Sequence, residues 1–273
     1  MNRIRLLIVI LLTVSLSETF ATVQAPDIII YKGDSLLLYA APLELLYKNE
    51  LGRPKFFGDK MGCMTTACWR GYQAVWKVID EELYLTGILS CCYHEDNIKA
   101  DLKKIFGDKC IDGKVKADWV STTIFAPTGK YMFVLHDIDE MVYEGELEFQ
   151  FINGKLIGTK TYDNSKSRLS IYSKDEKKLQ EFIYSNINWS NLPKHEDQVK
   201  KVVLRFSANE KGIVDDVQVM KSCDSIFDKE ATRVLKTIPE WDIFYRHGKL
   251  YRTNWVMPIN FSKENQEKYK KGL

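Results

Sequence analysis

The chain has 273 residues, of which 45% are hydrophobic and 28% are charged, so it can bury a core in one or two domains. This composition excludes a collagen-like or disordered chain. Its 39 basic and 37 acidic residues are mixed along the sequence and leave a formal net charge of only +2. The balance predicts no surface for nucleic acid, and the basic polar tail, residues 263–273, is expected to be a solvated end.

The first 25 residues have the layout of a secretory signal peptide. Arg3 and Arg5 precede the apolar run Leu6–Leu16, and Val23–Ala25 offers a cleavage point. As a helix the run would extend about 16 Å, which is short of the roughly 30 Å hydrocarbon core of a bilayer. We therefore expect cleavage and export to the periplasm. An uncleaved segment that anchors the chain in the inner membrane is the alternative.

All the cysteines follow the predicted signal peptide, and an even number in an exported chain is typical of disulfides. The sequence alone does not choose among the pairings. The candidates are Cys63, Cys68, Cys91, Cys92, Cys110 and Cys223.

Residues 26–165 are predicted to form a β-rich α+β domain. Runs that alternate apolar and polar residues are typical of strands, and Asn153-Gly154 is typical of a hairpin turn because both residues tolerate positive φ. A helix is predicted from a cap at Asp96 to a stop at Gly107. The predicted strands are Asp27–Tyr31, Ser35–Tyr39, Gly71–Ile79, Leu83–Ile88, Lys114–Ile124, Tyr131–His136, Met141–Phe151 and Lys155–Tyr162.

A polar run, Asp163–Arg168, separates this region from a second pattern, which we expect to be a small domain over residues 173–262. Ser173 and Glu176 are spaced as the capping box of a helix. A two-strand hairpin, a second helix and one long strand follow. The predicted strands are Lys201–Asn209, Ile213–Lys221 and Lys249–Phe261.

The second helix of this small domain is expected to begin at a cap at Ser225 and to end abruptly. Pro239 lacks an N–H and disfavours helical geometry at Ile238, so the helix must stop there, two residues before Trp241. One continuous apolar face is formed by Phe227, Ala231, Val234, Leu235 and Ile238.

The order and spacing of these elements resemble the C-terminal domain of TonB, the energy transducer of Gram-negative envelopes. The resemblance covers residues 173–262 and implies a small antiparallel sheet covered by helices, with Trp241 packed where the two meet. The residues that match the structural motif of the family are Gly212, Asp228, Glu230, Ala231, Pro239, Trp241, Pro258 and Phe261.

The resemblance also implies a protein-binding module for transport across the envelope. In the family, an extended segment of an outer-membrane receptor adds as a strand to an open sheet edge. The partner is expected to be such a receptor or another envelope protein. A homodimer is left open, and no enzymatic activity, metal or cofactor is implied. The last long strand is the candidate edge, with the contact residues Tyr251, Arg252, Thr253, Asn254 and Trp255.

Two alternatives are left open by the sequence. A working energy transducer would retain the N-terminal anchor and would need a spacer, which the scattered prolines do not provide. A periplasmic enzyme or ligand-binding protein would act through residues 26–165, which resemble an uncharacterised domain of exported proteins. Cys68 is the best candidate nucleophile for such an enzyme, with His94 or His136 as its base.

The sequence does not predict a metal site. Four cysteines and His94 could supply zinc ligands, but their spacing follows no common zinc knuckle. The acidic run at Asp137, Asp139 and Glu140 lacks the glycine and the last glutamate of an EF-hand, so we expect a solvated loop. The cysteines of the zinc set are Cys63, Cys68, Cys91 and Cys92.

Overall fold

The computed structural model describes residues 24–47, 52–58, 63, 65–135, 140–193 and 198–269. The apolar run of the predicted signal peptide lies outside these residues, as do His136, Asp137 and Asp139. Within the described ranges, no helix combines the length and the apolar composition that crossing a bilayer requires. The chain divides into two compact units, Met1–Val120 and Ser121–Leu273.

The first unit is built on a sheet with an exposed hairpin at one side. Its strands are β1 (Asp27–Tyr31), β2 (Asp34–Leu38), β3 (Tyr72–Ile79), β4 (Glu82–Ser90), β5 (Cys110–Ile111) and β6 (Lys114–Lys116), and its helices are α1 (Tyr93–Asp96) and α2 (Leu102–Phe106). Strands β2, β1, β3 and β4 are neighbours in that order, and β6 pairs with both β4 and β5. The β1–β3 pair is parallel, whereas β1–β2 and β3–β4 are antiparallel.

Two predicted elements of this unit are wrong. Asp96 does not cap a helix: it ends α1, because Asn97 adopts a left-handed φ of 52°. The cap of α2 is Asp101, whose Oδ1 accepts the Lys104 N–H at 3.1 Å. The predicted strand Lys114–Ile124 is also wrong, because it stops at the end of β6. The chain turns there, and the Val120 N–H donates to the Ala117 carbonyl at 3.0 Å.

Two disulfides join the segment before β3 to the end of β4. They pair Cys63 with Cys92 and Cys68 with Cys91, over Cα–Cα distances of 5.5 and 6.1 Å. Because a disulfide sulfur is not a thiolate, Cys68 cannot be the proposed nucleophile and the zinc set loses its four sulfur ligands. The other two candidates, Cys110 and Cys223, are free thiols.

Asp27 is a fully buried carboxylate at the start of β1. Its Oδ1 accepts the Ala74 N–H at 3.0 Å and an Arg70 guanidinium N–H at 3.2 Å, and its Oδ2 accepts the Trp76 indole N–H at 3.0 Å. Burial raises the pKa of Asp27 to about 6, against the opposing effect of the Arg70 charge. The folded chain therefore keeps this proton at pH values where the unfolded chain has released it.

The second unit combines a three-strand meander with a smaller sheet. The meander strands are β7 (Thr122–Leu135), β8 (Glu140–Ile152) and β9 (Lys155–Asp163); the remaining strands are β10 (Lys200–Ala208), β11 (Val214–Lys221), β12 (Phe244–Arg246), β13 (Lys249–Tyr251) and β14 (Trp255–Phe261). Its helices are α3 (Ile171–Lys174), α4 (Glu176–Ser185), α5 (Ser225–Lys236) and α6 (Lys263–Tyr269). The α+β fold class predicted from the sequence is confirmed.

Strand pairing in the second unit is antiparallel throughout the described ladders. Strand β8 lies between β7 and β9, and β10 lies between β11 and β14. The predicted turn at Asn153-Gly154 is confirmed, since φ is 48° and 74° at the two residues. Strands β12 and β13 form a separate hairpin.

The predicted polar boundary lies inside the second unit, where it bonds to the β12 region. Arg168 and Ile243 exchange two backbone hydrogen bonds of 2.8 and 2.9 Å, and the Tyr245 N–H donates to the Ser167 hydroxyl at 2.7 Å. These bonds join the segment that follows β9 to the β12 region. The domain limits at residues 165 and 173 stay a prediction.

The two caps predicted in this region, Ser173 and Ser225, are wrong. Ser170 caps α3, and Asp175 caps α4 by accepting the Lys178 N–H at 3.2 Å. The Ser173 hydroxyl instead donates to Asp242 Oδ1 at 2.5 Å. Helix α5 is capped by Asp224 and not by Ser225. Each correction moves the start of a helix by no more than a few residues.

The predicted apolar face of α5 is confirmed, and it packs onto the inner face of β10. Trp241 packs beside it, with 2% of its surface exposed. Its ring lies edge-on to Phe206 at a centroid distance of 4.9 Å and to Trp255 at 5.7 Å. The buried residues of this core include Val202, Leu204, Phe206, Phe227, Ala231, Val234, Leu235, Ile238, Ile259 and Phe261.

Gly212 holds the chain that leaves α5 against the β10–β11 loop. Its carbonyl accepts the Trp241 N–H at 2.8 Å, and its φ is +78°. A Cβ at this position would lie 2.9 Å from Glu240 Cγ and 3.0 Å from the Trp241 carbonyl oxygen. Both the backbone conformation and the close approach therefore require glycine.

We expect Gly212→Ala to lower the free energy of unfolding of the second unit by about 2–3 kcal/mol, because a left-handed alanine costs ~1–2 kcal/mol and its Cβ forces Trp241 to shift. Chemical denaturation measures the effect. Gly158→Ala in β9 is the matched control, since a Cβ there would meet only Gln150 Oε1, at an ordinary 3.5 Å. Equal stability of the two variants would contradict this role of Gly212.

We expect the stability of the first unit to fall as pH rises from about 4 to about 6, because the folded state binds the Asp27 proton more tightly than the unfolded state does. The contribution is up to about 3 kcal/mol, at ~1.4 kcal/mol per unit of pKa. Urea denaturation over this pH range measures it. This fall of the free energy of unfolding with pH should vanish in Asp27→Asn. It should persist in Asp118→Asn, the control, because Asp118 is exposed. An unchanged slope in Asp27→Asn would refute the assignment.

Candidate functional site

Strand β14 is an edge strand of the C-terminal sheet. It pairs with β10 over its whole length, from Trp255 opposite Phe206 to Phe261 opposite Lys200. Among the strands that the structure describes, β10 is its neighbour on one side and none pairs with it on the other. Strand β14 is thus an outer strand of the C-terminal sheet as the structure describes it.

The predicted long strand is broken, which changes the residues of the candidate edge. Tyr251 belongs to β13 and pairs with Phe244, because the chain first folds back in the β12–β13 hairpin. The Arg252 guanidinium then donates to the Ser207 hydroxyl at 3.0 Å and to the Asp215 carboxylate. The bond from Arg252 to Asp215 lowers the pKa of Asp215. Of the candidate contact residues, Tyr251, Arg252, Thr253 and Asn254 therefore lie outside the edge strand, and Trp255 begins it.

The backbone groups of β14 that face away from β10 follow from the alternation of an antiparallel ladder. Pro258 has no N–H to donate, which fits an outward position. The Asn260 N–H donates to the Tyr184 hydroxyl of α4 at 3.3 Å and so also faces outward. By the same alternation, the outward groups are the N–H and C=O of Val256 and the C=O of Pro258.

Near the C-terminal end of β14, side chains already bond the outward backbone groups of Asn260. Besides the Tyr184 hydroxyl at its N–H, the Asn260 carbonyl accepts the Asn265 side-chain amide at 2.9 Å. Tyr184 also stacks on Tyr269 of α6, with ring centroids 5.5 Å apart. The accessible edge is therefore short and centres on Val256, whose side chain is 64% exposed.

A groove of about 440 Å³ runs between α3, α4 and β14. Leu179 and Ile183 of α4 form one wall, and Met257 of β14 forms the other. The floor is aromatic and consists of Phe206, Trp241 and Trp255, the edge-to-face cluster that also holds the core together. Apolar walls beside open backbone groups can bind a short extended peptide.

Buried polar atoms without a hydrogen-bond partner concentrate next to this groove. Within the described part of the chain, four such atoms belong to residues between 241 and 260: Trp241 Nε1, Asp242 Oδ2, Thr253 Oγ1 and Asn260 Oδ1. Trp241 and Asn260 both line the groove. Since a buried polar group without a partner costs free energy, a bound segment that supplies partners would recover it.

Several residues of the predicted family motif stabilise the domain around the groove. Glu230 accepts the Asn188 N–H at 2.6 Å and two guanidinium N–H groups of Arg233 at 2.7 and 2.8 Å. Burial opposes ionisation of Glu230, but these bonds outweigh it and lower its pKa. Phe261 lies between Trp189 and Phe227, at centroid distances of 6.0 and 5.0 Å. Glu230 and Phe261 thus stabilise the fold of the domain that carries the groove.

Sequence reasoning missed the residues that define the groove. Val256, Leu179 and Tyr184 were not among the candidates. One local signal was available: Pro258 inside a strand is typical of an edge position. The placement of α4 beside the edge depends on tertiary packing and has no such signal.

Comparison with known proteins identifies this part of the chain. Residues 190–262, about a quarter of the sequence, match the model of a family described as Gram-negative bacterial TonB protein C-terminal. Neither the curated proteins nor the solved structures compared with the chain match it. The resemblance predicted from the sequence is thereby confirmed over residues 190–262.

Proposed function

We propose that the chain binds an extended segment of an outer-membrane receptor, and that the segment adds as a strand to the open edge of β14. TonB C-terminal domains interact with outer-membrane receptors, and the match of residues 190–262 to that family supports a TonB-like role in envelope transport. The observation that carries the finer proposal is the pair of outward residues Val256 and Pro258 beside the apolar groove.

The hydrogen-bonding groups of the edge limit what can bind. Val256 offers one N–H donor and one carbonyl acceptor, and Pro258 offers a second acceptor but no donor. A strand added at the usual spacing of about 4.8 Å would therefore donate two N–H groups and accept one. The closed end at Asn260 restricts the added strand to a few residues.

The side chains of the groove indicate the composition of the bound segment. Its inward-facing residues would meet Leu179, Ile183 and Met257, so we expect them to be apolar. Glu176 and Gln180 lie at the rim and leave the outward-facing positions polar. Alternating apolar and polar residues at the end of a receptor would fit this surface.

We expect Val256→Pro to weaken receptor binding at least tenfold, because it removes the outward N–H of the described edge that no side chain already occupies, and it places a ring where the added strand would lie. Affinity capture of outer-membrane receptors from envelopes on the full chain measures the effect. The folded domain should survive, since Pro258 already occupies an equivalent position two residues away.

Val219→Pro is the matched control for this experiment. Val219 lies in β11, the opposite outer strand of the same sheet, pairs with Leu204, and has a side chain that is 41% exposed. The same substitution there should leave receptor capture unchanged. A photocrosslinking residue at each position gives a second readout, with receptor adducts expected at position 256 and not at 219. Equal adducts at both positions, or none with receptors, would contradict strand addition at β14.

A further inference from the structure

A second cavity, of about 620 Å³, begins where the groove ends. Ser173 and Trp255 line both, so the cavity continues the groove beyond the first residue of β14. Strand β7 of the meander contributes Phe133 and Leu135 to its walls. Both residues lie outside the range that matches the TonB family, so the cavity is a feature of this chain and not of the family domain.

The walls of the cavity are apolar and largely aromatic. Phe133, Leu135 and Phe244 are buried and belong to one cluster, in which the rings of Phe133 and Phe244 are 5.0 Å apart. Leu169 and Trp255 pack against the same cluster. Walls of this kind favour a planar apolar group over a flexible polar one.

Two of the residues that line the cavity carry buried atoms that lack a hydrogen-bond partner within the described chain. Asp242 is 5% exposed; its Oδ1 accepts the Ser170 N–H and the Ser173 hydroxyl, both at 2.5 Å, whereas its Oδ2 has no hydrogen-bond partner among the described residues. Thr253 Oγ1 is likewise without one. Asp242 Oδ2 can accept a hydrogen bond, and the Thr253 hydroxyl can donate one and accept one.

We propose, on the basis of the strand-addition function above, that this cavity is a specificity pocket for one tyrosine of the bound segment. The ring would lie among Phe133, Leu135 and Phe244. The phenol hydroxyl would donate to Asp242 Oδ2 and accept from Thr253 Oγ1, which satisfies both atoms at once. An indole N–H can only donate, and phenylalanine can do neither.

The charges around the cavity favour a neutral donor over a cation. Burial raises the pKa of Asp242, and the positive charge of Lys174, which lines the same cavity, opposes this rise. A lysine or arginine of the partner would bring a second cation next to Lys174, whereas a phenol would not. Both polar atoms are shielded from solvent, so a wall side chain must turn for the hydroxyl to reach them.

The test uses a phage-displayed library of random dodecapeptides selected on the immobilised full chain. Selected peptides should carry tyrosine at one fixed position beside an apolar–polar alternation. For synthetic versions, replacing that tyrosine by phenylalanine should weaken binding to the unmodified chain about tenfold. It should weaken binding to Thr253→Val clearly less, because in that variant the phenol keeps only its bond to Asp242.

Control variants separate this proposal from the proposed function. Thr161→Val makes the same chemical change at an exposed position of β9 and should keep the tenfold preference, while Leu169→Trp should fill the pocket and abolish it. Peptides that lose binding in Val256→Pro but show no preference for tyrosine would overturn the pocket and leave strand addition intact. If no selected peptide depends on Val256, strand addition fails and the pocket proposal fails with it.

Discussion

The register of β14 on β10 decides which backbone groups the edge of the C-terminal sheet presents. An antiparallel ladder uses the N–H and C=O groups of every second residue, so a proline is tolerated only where its missing N–H would face away. Pro258 therefore determines which alternate residues of β14 face away from β10. The backbone N–H and C=O of Val256, two residues earlier, face the same way. A slip by one residue would put Pro258 into the ladder and turn the buried side chain of Ile259 to solvent.

An open sheet edge is a risk for aggregation, and the domain limits it to a short stretch. At one end of the edge, the side chains of Tyr184 and Asn265 form hydrogen bonds with the backbone N–H and C=O of Asn260. At the other end, Arg252 bonds to Ser207 just before β14 begins. Between these limits the edge faces apolar walls from α4. The meander adds a second cavity at the Trp255 end, so the surface available to a partner extends past the family domain.

The sequence predicted those features that depend on local pattern. The apolar face of α5 and the turn at Asn153-Gly154 each follow from the spacing of neighbouring residues. The break between β13 and β14 did not follow, because it depends on the β12–β13 pairing and on the bonds of Arg252 to distant residues. The cysteine pairing, the position of α4 and the groove also depend on contacts between residues far apart in sequence.

Hydrogen exchange of the β14 amides, followed residue by residue by NMR, tests the ladder most directly. The Val256 amide should exchange rapidly in the free chain and become protected when a receptor segment is bound. The Met257 amide, which faces β10, should be protected in both states. A Val256 amide already as protected as that of Met257 in the free chain would show that the edge is not open and would contradict the proposed binding mode.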